Sequence, residues 1–123
     1  MLSPSGTFGS TDPRIAADEL GNVHIIWKDK INILGLGSDS DIFYRLWNGT
    51  TKTWGAIELV SFNSTAEVYD CDLITKEGKV YVAWQDITNY LGNGPDEDIL
   101  FAVRYVNGTW TEAETISTIS DET

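Results

Sequence analysis

Residues 21–29 read GNVHIIWKD and residues 78–86 read GKVYVAWQD. Gly21, Trp27 and Asp29 recur as Gly78, Trp84 and Asp86, each 57 positions further on. The match runs outward from there, because KINILGLGSDSDI (30–42) answers ITNYLGNGPDEDI (87–99). Trp54, Glu58 and Ser61 find Trp110, Glu114 and Ser117 at a spacing of 56, and Ser3 finds Ser61 at 58. Upstream, Ile15 aligns with Leu73. Small insertions account for the drift. The chain is two tandem units, residues 1–60 and 61–123, and self-similarity at this period marks a repeat architecture.

Each unit reads as strands. VHIIW (23–27) and VYVAW (80–84) are short, β-branched and aromatic, and each follows a glycine turn. IFYRLW (42–47) and ILFAVRYV (99–106) are two more strands. Weaker ones are expected at 14–18 and 72–75, and at 57–61 and 113–117. Asn107-Gly108 predicts a two-residue hairpin with positive φ at both positions. No window keeps a 3.6-residue apolar period. The central strands are apolar on both sides: Val23, Ile25 and Trp27 alternate with His24 and Ile26. Sheets so patterned are covered on both faces. The expectation is an all-β fold of two four-stranded antiparallel meander blades of a β-propeller, with a two-sheet β-sandwich as the alternative.

Composition narrows the class. Nineteen acidic residues against eight basic give a net charge of −11, which disfavours nucleic acid as a partner. No apolar run reaches the roughly 18–20 residues that span a bilayer, so membrane insertion is not expected. A single cysteine, Cys71, excludes an intrachain disulfide and reads as a small buried residue. MLSPSGTFGS (1–10) has neither the basic start nor the apolar stretch of a signal peptide.

In order, the first unit carries P-x-I-A-x-D-x-x-G-x-V-H-x-x-W-x-D on Pro13, Ile15, Ala16, Asp18, Gly21, Val23, His24, Trp27 and Asp29. G-x-D-x-D-I-F-Y follows on Gly37, Asp39, Asp41, Ile42, Phe43 and Tyr44, then Trp54, Val60 and Ser61. This cadence resembles the sialidase-like, Asp-box-related β-propeller repeats of secreted or surface multi-blade proteins of archaea and bacteria. Neither unit holds the strict S/T-x-D-x-G-x-x-W in order. The resemblance implies a propeller fold and an extracellular or cell-surface parent protein. Two blades do not close a ring that typically needs four to eight. Leu2-Ser3, Val60-Ser61 and Ile116-Ser117 fall at one phase of the repeat, which suits both a self-assembling unit and a piece cut from a longer propeller. The expected partner is therefore a second copy, in a homo-oligomeric ring with a trimer of six blades favoured.

Candidate sites follow the repeat. Asp29, Asn32, Asp39 and Asp41, and again Asp86, Asn89, Asp96 and Asp98, offer hard oxygen ligands in glycine-containing loops, so calcium is the candidate cofactor. The competing reading, which weighs more, is carboxylates accepting backbone N–H bonds in turns. Among the aromatics, Tyr44, Trp47 and Tyr90 lack an identical partner in the other unit and are the candidate glycan-stacking residues. Trp27, Trp84, Trp54 and Trp110 recur in phase and read as packing. A sialidase-type site, as the resemblance implies it, needs an arginine cluster, a tyrosine nucleophile with a carboxylate partner, and an acid. Only Arg14, Arg45 and Arg104 are present, outside any recognisable catalytic context. His24 aligns with Tyr81 and reads as structural, while Glu58 and Glu114 read as exposed partners or turn residues. Asn48, Asn63 and Asn107 begin N-x-S/T sequons. The expected function is a non-catalytic binding or interaction scaffold. The alternative is a glycan-binding lectin with sites between blades, and third a glycoside hydrolase whose carboxylates meet only in the ring.

Overall fold

The computed structural model describes residues 10–30, 40–61, 67–86 and 98–116. Among these residues the chain is all strand and turn, with no helix. The first unit supplies β1 (Thr11–Ala17), β2 (Val23–Asp29), β3 (Asp41–Asn48), β4 (Thr53–Trp54) and β5 (Glu58–Leu59). The second supplies β6 (Val68–Lys76), β7 (Lys79–Asp86), β8 (Asp98–Arg104) and β9 (Glu114–Thr115). Both sheets are antiparallel meanders, ordered β1-β2-β3-β4 and β6-β7-β8-β9. β4 and β5 pair successive stretches of β3, Trp47–Asn48 and Phe43–Tyr44, and so form one interrupted fourth strand. The second sheet has the same interruption, with an isolated bridge at Arg104–Trp110 before β9.

The repeat extends to backbone irregularities. β1 and β6 each carry a bulge, between Thr11 and Arg14 and between Tyr69 and Asp72. Each bulge contains an aspartate at positive φ, Asp12 (54°) and Asp70 (43°). Gly21 (83°) and Gly78 (80°) hold the turns into β2 and β7, a conformation that only glycine adopts at no cost. The two-residue turn with positive φ at both centres falls at Glu77 (53°) and Gly78, between paired Lys76 and Lys79. The sequence placed such a turn at Asn107-Gly108. There the Gly108 amide donates to the Tyr105 carbonyl at 2.9 Å and the Tyr105 amide to Thr109 at 2.8 Å. Only Gly108 has positive φ, so the connection is a three-residue loop with glycine at its last position.

The sheets share one core, and each presents a different side of its repeat to it. From the first sheet come Ile26, Ile42, Tyr44 and Val60, with Ala16 and Leu46 packed against them. From the second come Leu73, Val80, Val82, Trp84, Leu100 and Ala102, with Trp110 alongside. Cross-strand register puts Ile26 opposite Tyr44 and Val82 opposite Ala102, so each set is one face of its sheet. At the repeat spacing, however, Ile26 corresponds to Ala83 and Tyr44 to Phe101, which lie on the far side of the second sheet. Conversely Val82 and Trp84 correspond to Ile25 and Trp27, on the far side of the first. The sheets are therefore stacked front to back: the front of unit one meets the back of unit two.

β6 comes closest, lying along β1 and reaching β2 and β3. There Thr75 Oγ1 donates to the Ala17 carbonyl at 3.1 Å, and the Cys71 thiol to that of Asp12 at 3.6 Å. Cys71 is buried, as its sequence context predicts, and burial pushes its thiol up to about 11. At the opposite edge the gap is spanned by long side chains. This two-layer arrangement is common to adjacent propeller blades and to a sandwich.

Candidate functional site

The wide edge of the interface holds the densest polar chemistry among the described residues. Tyr44, in β3, points its ring into the shared core and has no exposed surface. Its hydroxyl lies 2.8 Å from His24 Nδ1, and His24 Nε2 lies 2.9 Å from Asp18 Oδ2. Asp18 sits in the five-residue turn between β1 and β2, where its carboxylate also accepts from the amides of Leu20 (2.9 Å) and Asn22 (3.0 Å). Burial alone raises a carboxyl pKa. Here the hydrogen bonds from His24, Asn22 and Leu20 outweigh it and hold Asp18 below its ordinary 3.8. Burial likewise drives the Tyr44 hydroxyl far above its usual value, although the Arg104 charge pulls the other way.

Arg104, from β8, reaches across from the second sheet. Its Nε donates to Glu58 Oε1 at 2.8 Å and its Nη2 to Glu58 Oε2 at 3.0 Å, a bidentate pair. The guanidinium lies over the Tyr44 ring, 4.7 Å from its centroid. Burial opposes the guanidinium's charge, but Glu58 and then Tyr44 hold its pKa above the normal value. Trp110 completes the group: its indole Nε1 donates to Glu58 Oε1 at 2.8 Å, and its ring meets Tyr44 edge-on at 5.4 Å. Glu58, expected from sequence to be an exposed partner or a turn residue, is a partly exposed inter-sheet anchor with three charge-assisted bonds. Its partners lie 46 and 52 positions away in the other unit, beyond any local pattern.

An Asp-His-Tyr chain next to an Arg-Glu pair has the makings of proton-transfer chemistry. In this structure its groups bind one another across the two sheets. His24 has both ring nitrogens occupied, Tyr44 is enclosed, and Arg104 is closed by a carboxylate of its own chain.

The other expected residues are distributed as follows. Tyr44 is in this cluster, and as placed it offers no face to a glycan. Trp47 is half-buried on the far side of the first sheet, paired with Trp54. Tyr90, Asn32, Asp39, Asn89 and Asp96 lie outside the described residues, as does the sequon at Asn63. The carboxylates at the strand ends are arranged in register, Asp29 opposite Asp41 and Asp86 opposite Asp98, and all four are buried. Asp29 accepts from the Ser10 hydroxyl at 2.5 Å and Asp41 from Ser61 at 2.9 Å, while Ser61 in turn accepts the Ile42 amide. Asp86 accepts from Trp84 Nε1 at 3.1 Å. Among the described residues, no three His, Cys, Asp or Glu side chains gather to hold a metal. In the sequon turns, the Asn48 carboxamide oxygen accepts from the Thr50 and Thr51 amides, and that of Asn107 from Thr109. No helix among the described residues is long and apolar enough to cross a membrane. Comparison with protein-family models, with curated proteins and with solved structures finds no match to this chain.

Proposed function

We propose that the two sheets are successive blades of a β-propeller, and that the chain is a non-catalytic interaction module which completes its ring by self-association. The observation that carries this reading is the front-to-back stacking. A sandwich built from two like repeats joined by a two-fold would turn equivalent faces inward. Stacking by rotation about an axis turns the front of each blade to the back of the next. A second support is the wedge. The sheets meet most closely at their first strands, β1 and β6, and the far edge is filled by Arg104, Glu58, Trp110 and Tyr44. Propeller blades splay in this sense from an axis lined by their first strands.

Such a module repeats its interface by construction, so the number of copies follows from the angle between sheets. Six blades from three chains is the favoured count. Light scattering on the purified 123-residue chain tests it, with a mass of three chains expected. A stable single-chain mass across micromolar concentrations would overturn self-association.

A further inference from the structure

We infer that the outer face of the second sheet is the docking surface for the outer face of the first sheet in another copy of this chain, in the same register that joins the two sheets internally. The inference rests on the blade reading above and assigns its contact residues.

The second sheet's open face is largely apolar along its middle, where an exposed sheet would be polar. Ile74, 65% exposed, Tyr81, Ala83 and Phe101 line a groove of about 240 Å³ with exposed Asp72 beside them, and the Tyr81 and Phe101 rings stack at 6.3 Å. These positions are the repeat equivalents of Ala16, His24, Ile26 and Tyr44, the face that the first sheet packs into the shared core. The first sheet's outer face carries the other half where Ile15 and Ile25 lie; Trp27 and Phe43, further along the same face, are already buried. Ile15, 68% exposed, corresponds to buried Leu73, and Ile25 corresponds to buried Val82. Each open face is thus a copy of a face that is already seated once in the molecule, and the two copies are of opposite kind. The volumes also compensate. Ala83 is smaller than Ile26, which opens the groove, and Ile25 is larger than Val82, which fills it.

The polar register follows the same rule. Internally Glu58 accepts the Trp110 indole N–H, and the Trp110 ring meets Tyr44. Glu114, exposed and opposite Phe101 in β8, is the equivalent of Glu58, and Trp54, 38% exposed, is the equivalent of Trp110. Across the new interface Trp54 of the second copy seats on Phe101 and donates to Glu114. The Arg104 contact is not repeated, since Trp47 stands at its equivalent. The interface is heterologous, with different surfaces on its two sides, and it propagates until it closes.

Two single substitutions test this, each on a side chain about two-thirds exposed, so that the fold survives and the far-UV spectrum stays that of the parent. Ile74→Glu blocks one face and Ile15→Glu the other. Each variant alone is expected to run as a single chain in light scattering. Mixed in equal amounts, they are expected to give a species of two chains, because each brings one intact face. If Ile74→Glu dissociates the assembly while Ile15→Glu leaves it intact, the second sheet pairs with itself and the inference falls. If both variants assemble like the parent, self-association stands and this interface does not. A parent chain that is itself a single-chain species overturns both readings. Trp54→Phe, which keeps an aromatic ring but loses the donor, weakens assembly about tenfold. An unchanged dissociation constant would remove the Glu114 register.

Discussion

Between their first two strands, the units make different turns. The first spends five residues, 18–22, between paired Ala17 and Val23, and the second spends two, Glu77 and Gly78, between Lys76 and Lys79. Around these turns the backbone is otherwise the same, down to the bulge aspartates and the positive-φ glycines. The longer turn places Asp18 beneath His24, and His24 in turn meets the Tyr44 hydroxyl. At the equivalents of His24 and Tyr44 the second unit has Tyr81 and Phe101, stacked and facing outward with no such chain. The difference follows from position. A face that is buried must satisfy whatever polar groups it carries, so the first unit's front is a closed network. Matching strands and bulges do not require identical faces.

The largest expected effects separate the two in-phase tryptophans. Trp84 lies in the shared core, 1% exposed, and its Nε1 is bonded to Asp86. Trp27 is also buried but outside that core, stacked on Phe43 at 6.0 Å, and its Nε1 has no partner among the described residues. Trp84→Ala is expected to cost about 3–5 kcal/mol. The sharper comparison is Trp84→Phe against Trp27→Phe, where the first should cost about 1–2 kcal/mol more, because only there is a bonded donor removed. Urea unfolding at one fixed protein concentration measures both, and equal costs would break the distinction.

Next come the two glutamates. Glu58→Ala leaves the largely buried Arg104 guanidinium and the Trp110 N–H without their acceptor. Glu58 is itself partly exposed, which moderates the loss to about 2–3 kcal/mol. Glu114→Ala, at the equivalent exposed site, is expected to change the stability of a dissociated chain by no more than about 0.5 kcal/mol. A Glu114 variant as damaging as the Glu58 one would mean that the two faces are not inner and outer. The Ile74→Glu background keeps assembly out of that comparison.

The units and their central strands were legible because VHIIW and VYVAW carry both the repeat and the β-branched pattern. Other features were less so, for physical reasons. β1 and β6 begin earlier than the alternation implies, since the bulges at Asp12 and Asp70 slip the period by one and hide the first residues. β8 stops at Arg104 and not at Val106, because the chain is already turning at Tyr105. Apolar residues on both faces of VHIIW signalled double coverage. They did not say which face meets the other unit, because Trp27 and Trp84 are identical in sequence and differ only in environment. Glu58, Arg104 and Trp110 escaped for the same reason that makes them matter: the contact joins residues from different units, and neither unit alone contains it. His24 carried a usable signal, since a histidine six residues from an aspartate flanks one hairpin turn and has no counterpart in the other unit.

That histidine's partner gives a smaller effect than the loss of Glu58, and the cleanest sign. Asp18 has a folded pKa below its ordinary 3.8, because the bonds it accepts favour the ionised form. As pH falls, the unfolded chain takes up this proton first. The stabilisation is therefore complete above 3.8 and is lost as pH drops through the lower folded value. The equivalent position in the second unit is Lys76, so no matching carboxylate contributes there. Asp18→Asn is expected to lower stability by about 1 kcal/mol at about pH 5.5. The gap should close as acid protonates the native carboxylate, which flattens the acid limb of the variant's stability profile. Urea midpoints along an acid series read this directly. A gap that persisted unchanged into acid would assign the loss to the shape of the five-residue turn, and the charge on Asp18 would then have no part in holding His24 against Tyr44.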